Sequence, residues 1–171
     1  MKNITELENL FFQLVNNALN VPESRKNDFV RFAWPTDEQP GWSVSTDVCF
    51  LFIVPVPSDI ERWRDQKFAS DTDKLKYTRV IEVQFVFYGP TAWENALNLK
   101  DSLNYRIYTD FLRSNNMAFI TDATSPVRLP ELYNSHWYNK CTFTAHFNEL
   151  VEKSYNENYI STPDVQIFVD R

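Results

Sequence analysis

Residues 79–103 read RVIEVQFVFYGPTAWENALNLKDSL, and the folding of this stretch decides how the rest of the chain is arranged. Leu75, Tyr77, Ile81, Val83, Phe85 and Phe87 share one parity, while Lys76, Thr78, Glu82 and Gln84 take the other. Successive side chains of a strand point to opposite faces. The pattern therefore predicts a strand over 75–88 with one buried face and one wetter face, as in an antiparallel sheet. Gly89 and Pro90 end that period. Trp93, Ala96, Leu97, Lys100 and Leu103 then lie along one helical stripe, predicting a helix from about Thr91. Pro90 is expected in its first turn, where a missing N–H costs nothing, and Gly89 in a backbone geometry that a side chain would obstruct.

On the N-terminal side, Thr5 and Glu8 have capping-box spacing, and Leu7, Leu10, Phe11, Leu14, Val15 and Ala18 follow the helical repeat up to Pro22. A short strand is expected over 29–34, a loop over 35–41, and a long strand over 42–54 that Pro55 and Pro57 stop or confine to an edge. Residues 58–74, SDIERWRDQKFASDTDK, read as a long polar loop with at most one helical turn. On the C-terminal side, a helix is expected over 105–114 with Ile107 and Phe111 on one face, then a strand over 117–121 and a loop through Pro126 and Pro130. A last long strand over 136–151 places Trp137, Cys141, Phe143, Ala145 and Phe147 on one face, with Asn139 interrupting the set. Residues 152–171 form a polar segment with a terminal strand at 165–169. The expected fold class is α+β: a mainly antiparallel sheet packed against an N-terminal helix and a central helical pair. The expected core is Phe85, Phe87, Phe143 and Phe147. A length of 171 residues with no internal repeat or linker reads as a single domain, 1–171.

Composition excludes several functions. Gly41 and Gly89 are the only glycines, so no glycine cluster exists to cradle a phosphate. The formal charge of −6 makes a poor grip for nucleic acid. Cys49 and Cys141 match no zinc or disulfide framework and read as core residues in a reducing compartment. On one continuous strand, His136 and His146 would stand roughly 33 Å apart, too far to serve one metal or one substrate. Asp71, Thr72 and Asp73 read as a solvated turn rather than a calcium loop. The N-terminus carries acids where a signal peptide needs an apolar stretch, and the longest apolar run, 48–54, is too short to span a bilayer. The expectation is a non-enzyme without cofactor or membrane partner, made in the cytoplasm.

A strand ending in Phe87-Tyr88-Gly89 passes directly into an Ala- and Leu-rich helix. An ITELE helix at 4–8 opens the chain, and an aromatic alternating strand with Trp137 follows the second helical region. From about Thr5 to Leu150 this order resembles the phage neck terminator and tail terminator family. The 58–74 loop is longer than that family suggests, and the last 20 residues have no clear counterpart. The resemblance implies a tail-terminator-like subunit of the virion neck that forms a homo-oligomeric ring, commonly a hexamer, at the top of the tail tube. Its partners would be the tail tube or sheath protein and a neck or connector protein. DNA would pass through the channel without specific binding, and no catalytic residue is carried over.

Two other classes of function stand beside this one: a binding module or assembly chaperone outside the virion, and a hydrolase whose site is assembled only by the fold. For self-assembly the candidate contacts are Arg62, Trp63 and Arg64 in the polar loop, because Trp and Arg anchor interfaces. Folding of Trp63 back onto the core is the competing reading. Val165, Ile167 and Val169 are the second set, a short apolar strand that can add to a neighbour's sheet edge.

Overall fold

The computed structural model describes residues 1–33, 41–68 and 72–156. Its centre is a ribbon of two 17-residue antiparallel strands, β4 (Thr72–Tyr88) and β9 (Lys140–Asn156), paired along their whole length. At ~3.3 Å per residue the ribbon spans about 55 Å. One end of β4 pairs with β2 (Val48–Val56), which pairs in parallel with the short β1 (Val30–Phe32). The other end of β4 pairs with β3 (Arg64–Phe68). Along β9 lie β5 (Met117–Ile120) and the two-residue β6 (Val127–Arg128). A separate hairpin joins β7 (Glu131–Tyr133) to β8 (His136–Tyr138). Among the described residues there are four α-helices: α1 (Ile4–Ala18), α2 (Lys26–Phe29), α3 (Ala92–Ser102) and α4 (Arg106–Ser114). The architecture is thus α+β with a large, mostly antiparallel sheet.

The alternation in 75–88 holds where helices cover it. Ile81, Val83, Phe85 and Phe87 are buried and face Phe147, Ala145, Phe143 and Cys141 across the ribbon. Phe85 and Phe143 stack at 4.9 Å, and Phe11 of α1 meets Phe147 edge-on at 4.8 Å. Leu7, Leu10, Phe11, Leu14 and Val15 make the buried stripe of α1. Cys49, Phe87 and Cys141 form one row across three strands. Their thiols are buried and free; strands two positions apart lie roughly 9.5 Å from each other, beyond disulfide reach. Burial raises both thiol pKa values, most strongly that of Cys49.

Several boundaries differ from the sequence reading. The capping box of α1 uses Asn3 and Glu6: Glu6 N–H donates to Asn3 Oδ1 at 2.8 Å and Asn3 N–H donates to Glu6 Oε2 at 2.7 Å. Asn20 and Asn116 take positive φ just past α1 and α4, a place usually given to glycine. Helix α3 begins at Ala92, so Pro90 precedes its cap instead of sitting in its first turn. Its buried stripe is Ala92, Ala96, Leu99 and Leu103, while Trp93 points outward. In α4 the buried residue is Leu112, with Ile107 exposed. The segment before Val48 is a turn, not strand. Pro55 is accommodated because β1 covers β2 only as far as Leu51, leaving that edge open. The final strand breaks at Asn139, whose carbonyl accepts from Gly89 N–H at 3.1 Å. Trp137 consequently leaves the core face and is exposed in β8, and β9 runs five residues past Val151. Thr72 and Asp73 open β4, and Asp73 is largely buried instead of lying in a solvated turn; Asp71 falls outside the described residues.

Gly89 does what its sequence position suggested. Its φ of +114° is left-handed, and a Cβ there would come within 2.4 Å of Asp47 Oδ1 and 2.7 Å of Thr46 O. The same Asp47 Oδ1 accepts from Thr91 N–H at 2.9 Å, so one carboxylate ties the strand end to the helix start.

Candidate functional site

The largest departure from the sequence reading is 58–74. Residues Asp59–Arg62 make one 3-10 turn, capped by Ser58 Oγ accepting from Ile60 N–H at 3.2 Å. Arg64–Phe68 then form β3, which pairs with β4 from Arg64 opposite Tyr77 to Phe68 opposite Asp73. The supposed loop is a hairpin. With the far ends of β4 and β9 it makes a three-stranded arm. Helix α1, about 22 Å long at ~1.5 Å per residue, is far shorter than the ribbon and does not cover its whole length.

Arg62, Trp63 and Arg64 sit where the turn enters this arm. Trp63 is 82 % exposed, which rules out its folding back onto the core. Arg62 meets Asp59 at 3.4 Å with both side chains in solvent, and Arg64 lies over the Tyr77 ring at 5.3 Å. The three residues are adjacent and open, as an interface anchor requires. Val165, Ile167 and Val169 lie outside the described residues.

A buried ionic knot separates arm from body. Arg79 Nε donates to Glu149 Oε2 at 2.8 Å, and Arg79 Nη2 reaches the same oxygen. Lys2 N–H donates to Glu149 Oε1 at 2.7 Å, and Lys2 O accepts from Arg79 Nη2 at 3.2 Å. Glu149 is 1 % exposed, so all its partners come from the protein. Nothing in the alternation of β9 announced this pair, because Glu149 occupies an inward position that an apolar residue would normally fill.

The sheet's other face carries a second surface that the sequence reading missed. Trp42 packs on Phe50 at 5.0 Å, Tyr88 at 5.7 Å and Tyr138 at 6.3 Å, with the Arg31 guanidinium 5.7 Å from its ring. Two concavities flank it, of about 350 and 370 Å³, the first lined by Tyr88, Glu131, Tyr133 and Tyr138, the second by Phe50, Phe52, Leu129 and Lys140. Glu131 holds the rim: its Oε2 accepts from Tyr88 Oη at 2.8 Å and Lys140 Nζ at 2.9 Å. Those hydrogen bonds, Lys140 first, hold the Glu131 carboxyl below its usual range. Burial, with Glu131 second, raises the Tyr88 phenol. Burial works against the Lys140 charge, but Glu131 lifts its pKa. Beyond the rim, β7 and β8 expose Leu132, Tyr133 and Trp137 around a turn in which Asn134 and Ser135 both take positive φ.

The histidines belong to different strands. His136, in β8, has Nδ1 2.8 Å from Asn134 O. His146, in β9, lies between Glu82 at 3.2 Å and Asp122 at 3.0 Å. The two carboxylates approach opposite ring nitrogens, so they bracket the imidazole and do not converge on one point. No described helix is long and apolar enough to cross a membrane.

A largely antiparallel sheet with helices on one face and open aromatic and charged surfaces elsewhere defines an α+β protein with several distinct external surfaces. The chain matches the family model described as phage neck terminator protein over residues 5–170, nearly its whole length, and it belongs to that family. Membership gives it a structural role in the neck of the phage particle, at the head–tail junction. No individual curated protein matches the chain.

Proposed function

We propose that the chain acts as a single domain, 1–171, with a tail-terminator-like arrangement. In this reading it assembles into a closed homo-oligomeric ring, a hexamer, that caps the tail tube and presents a face to the head-neck connector. The ring stops addition of tube subunits, meets the tube or sheath below and the connector above, and lets DNA pass without specific binding. It acts by contact alone and without catalysis. Subunits are made in the host cytoplasm and end in the virion.

The observation that carries this reading is the exposed triplet Arg62, Trp63 and Arg64 at the root of the projecting arm, in a chain of the neck terminator family. A closed ring needs two different patches on each subunit, and a projecting element is a natural donor. Val165, Ile167 and Val169 are proposed as a second donor that adds to a neighbour's sheet edge. The acidic charge of −6 suits a passage that must not hold phosphates.

Trp63→Ala should leave folding intact, because so exposed a side chain supports little of the core. The same variant should yield tails that fail to join heads or that vary in length. Normal, infectious particles carrying Trp63→Ala would remove the triplet from the ring contact. Absence of the chain from purified particles would favour a binding module or chaperone outside the virion.

A further inference from the structure

A cleft of about 510 Å³ lies between the end of α1 and α4. Leu14, Val21, Ile107 and Phe111 give it apolar walls. Tyr108 ties the two helices together, its Oη donating to Asn17 O at 3.1 Å.

The α1 side of the cleft is rich in acceptors and poor in cations. Asn16 lines it and is 1 % exposed. Its Nδ2 donates to Phe12 O at 3.0 Å, while its Oδ1 has no hydrogen-bond partner among the described residues. The last turn of α1 holds no basic residue, so no side chain of that turn offsets the negative pole of the helix. Among the described residues Lys26 is the only cation lining the cleft, and Glu23 holds it at 2.6 Å. A buried amide oxygen without a donor and a bare helix C-terminus select the same group, an N–H that carries positive charge. The walls select apolar surface beside it. A guanidinium on its methylene stem, next to an aromatic ring, meets both demands.

The turn before β3 carries that combination. The Arg62 side chain is 84 % exposed and meets only Asp59, in solvent, and Trp63 stands exposed beside it. Arg64 is already engaged over Tyr77.

We infer that the cleft between α1 and α4 is the receiving patch of the ring contact, filled by Arg62 and Trp63 of a second copy of this chain. The inference rests on the ring reading and names the two surfaces that meet. One chain cannot join them. Arg64 stands opposite Tyr77, two residues from Arg79, and Arg79 holds Lys2 just ahead of α1, whereas the cleft lies at the far end of that helix. Two copies can, and the contact is head-to-tail: each copy keeps one free patch of each kind until the ring closes. An isologous contact would set arginines against arginines.

A photoreactive benzophenone side chain in place of Ile107, which is exposed at the cleft, tests the contact in purified particles. Irradiation should give a covalent dimer of the chain in which residue 107 is joined to a peptide from 58–68. Asn17→Lys tests the charge. Asn17 is exposed in the last turn of α1, so the added cation should leave the melting temperature of the isolated subunit unchanged or raised. Incorporation of that variant into particles should fall by at least about tenfold, and adding Arg62→Glu should restore it. A lowered melting temperature, full incorporation of Asn17→Lys or failure of Arg62→Glu to rescue would overturn the inference. So would a self-dimer joined elsewhere, an adduct with another virion protein only, or no adduct at all. Particles that hold the chain in a single copy, counted by quantitative mass spectrometry, would remove the ring reading itself, which separates that failure from failure of this contact.

Discussion

The two halves of the β4–β9 ribbon are built from the same strands with the same alternation, yet only one of them is core. Over 80–88 and 140–148 the inward face carries Ile81, Val83, Phe85, Phe87, Phe143 and Phe147, all buried beneath helices. Over 72–79 and 149–156 the same parity carries Asp73, Leu75, Tyr77, Arg79, Glu149, Val151, Lys153 and Tyr155; Val151 and Asp73 are buried there too, but none of this row belongs to the core cluster. Regular pairing of a strand therefore says little about where its stability lies. The ladder is continuous, but the hydrophobic contribution thins to Val151 and the half-buried Leu75 and Tyr77 where the helices stop.

The sharpest way to break this contrast is substitution on the same face of both halves. Phe87→Ala should cost roughly 3–5 kcal/mol through lost burial and a cavity, whereas Tyr77→Ala in the arm should cost less than about 1 kcal/mol. Denaturant midpoints of the two variants check this, and equal losses would show that the arm is as much a part of the core as the body.

The edge between strand and helix gives an intermediate effect. Gly89→Val should cost on the order of 1–3 kcal/mol from backbone strain at positive φ, before the overlap with Asp47 is added. An unchanged melting temperature would mean that the turn rearranges freely.

The smallest effect is expected at the aromatic rim. The Glu131 pKa is depressed in the folded protein, so its contribution is present above the ordinary value of 4.5 and is lost as pH falls through the lower folded value. At this exposure it amounts to about 0.2–1 kcal/mol, and Glu131→Gln should abolish that part of the acid dependence of stability. An acid unfolding curve that is the same with and without the substitution would show that the rim bonds contribute nothing.

The body of the fold was legible because its residues obey one period at a time. The 75–88 alternation, the α1 repeat and the Phe143–Phe147 set each identify a buried face without help from distant contacts. The arm was not legible for a physical reason. Arg64–Phe68 is too polar to announce a strand, and its ladder is supplied by β4. Trp137 misled because alternation continues across Asn139 in the sequence while the backbone does not. Arg62, Trp63 and Arg64 stood out in the sequence as a group, but their exposure could be seen only once the hairpin beneath them was known. The Trp42 layer draws on residues from 31 to 138, which share no period at all.

The pairing of β4 with β9 also has a kinetic consequence. Tyr88 meets Lys140 across 52 positions of sequence, and Thr72 meets Asn156 across 84. Contacts this distant close slowly, because loop entropy must be lost before the ladder forms. During synthesis β4 emerges long before its partner and presents an unpaired apolar edge while α3 and α4 are still being made. The β9 side of the arm, which has the most distant pairs, is expected to zip last, whereas the β3–β4 hairpin, with Phe68 opposite Asp73, is local and can form early. A subunit would then complete its three-stranded arm only after its core has closed.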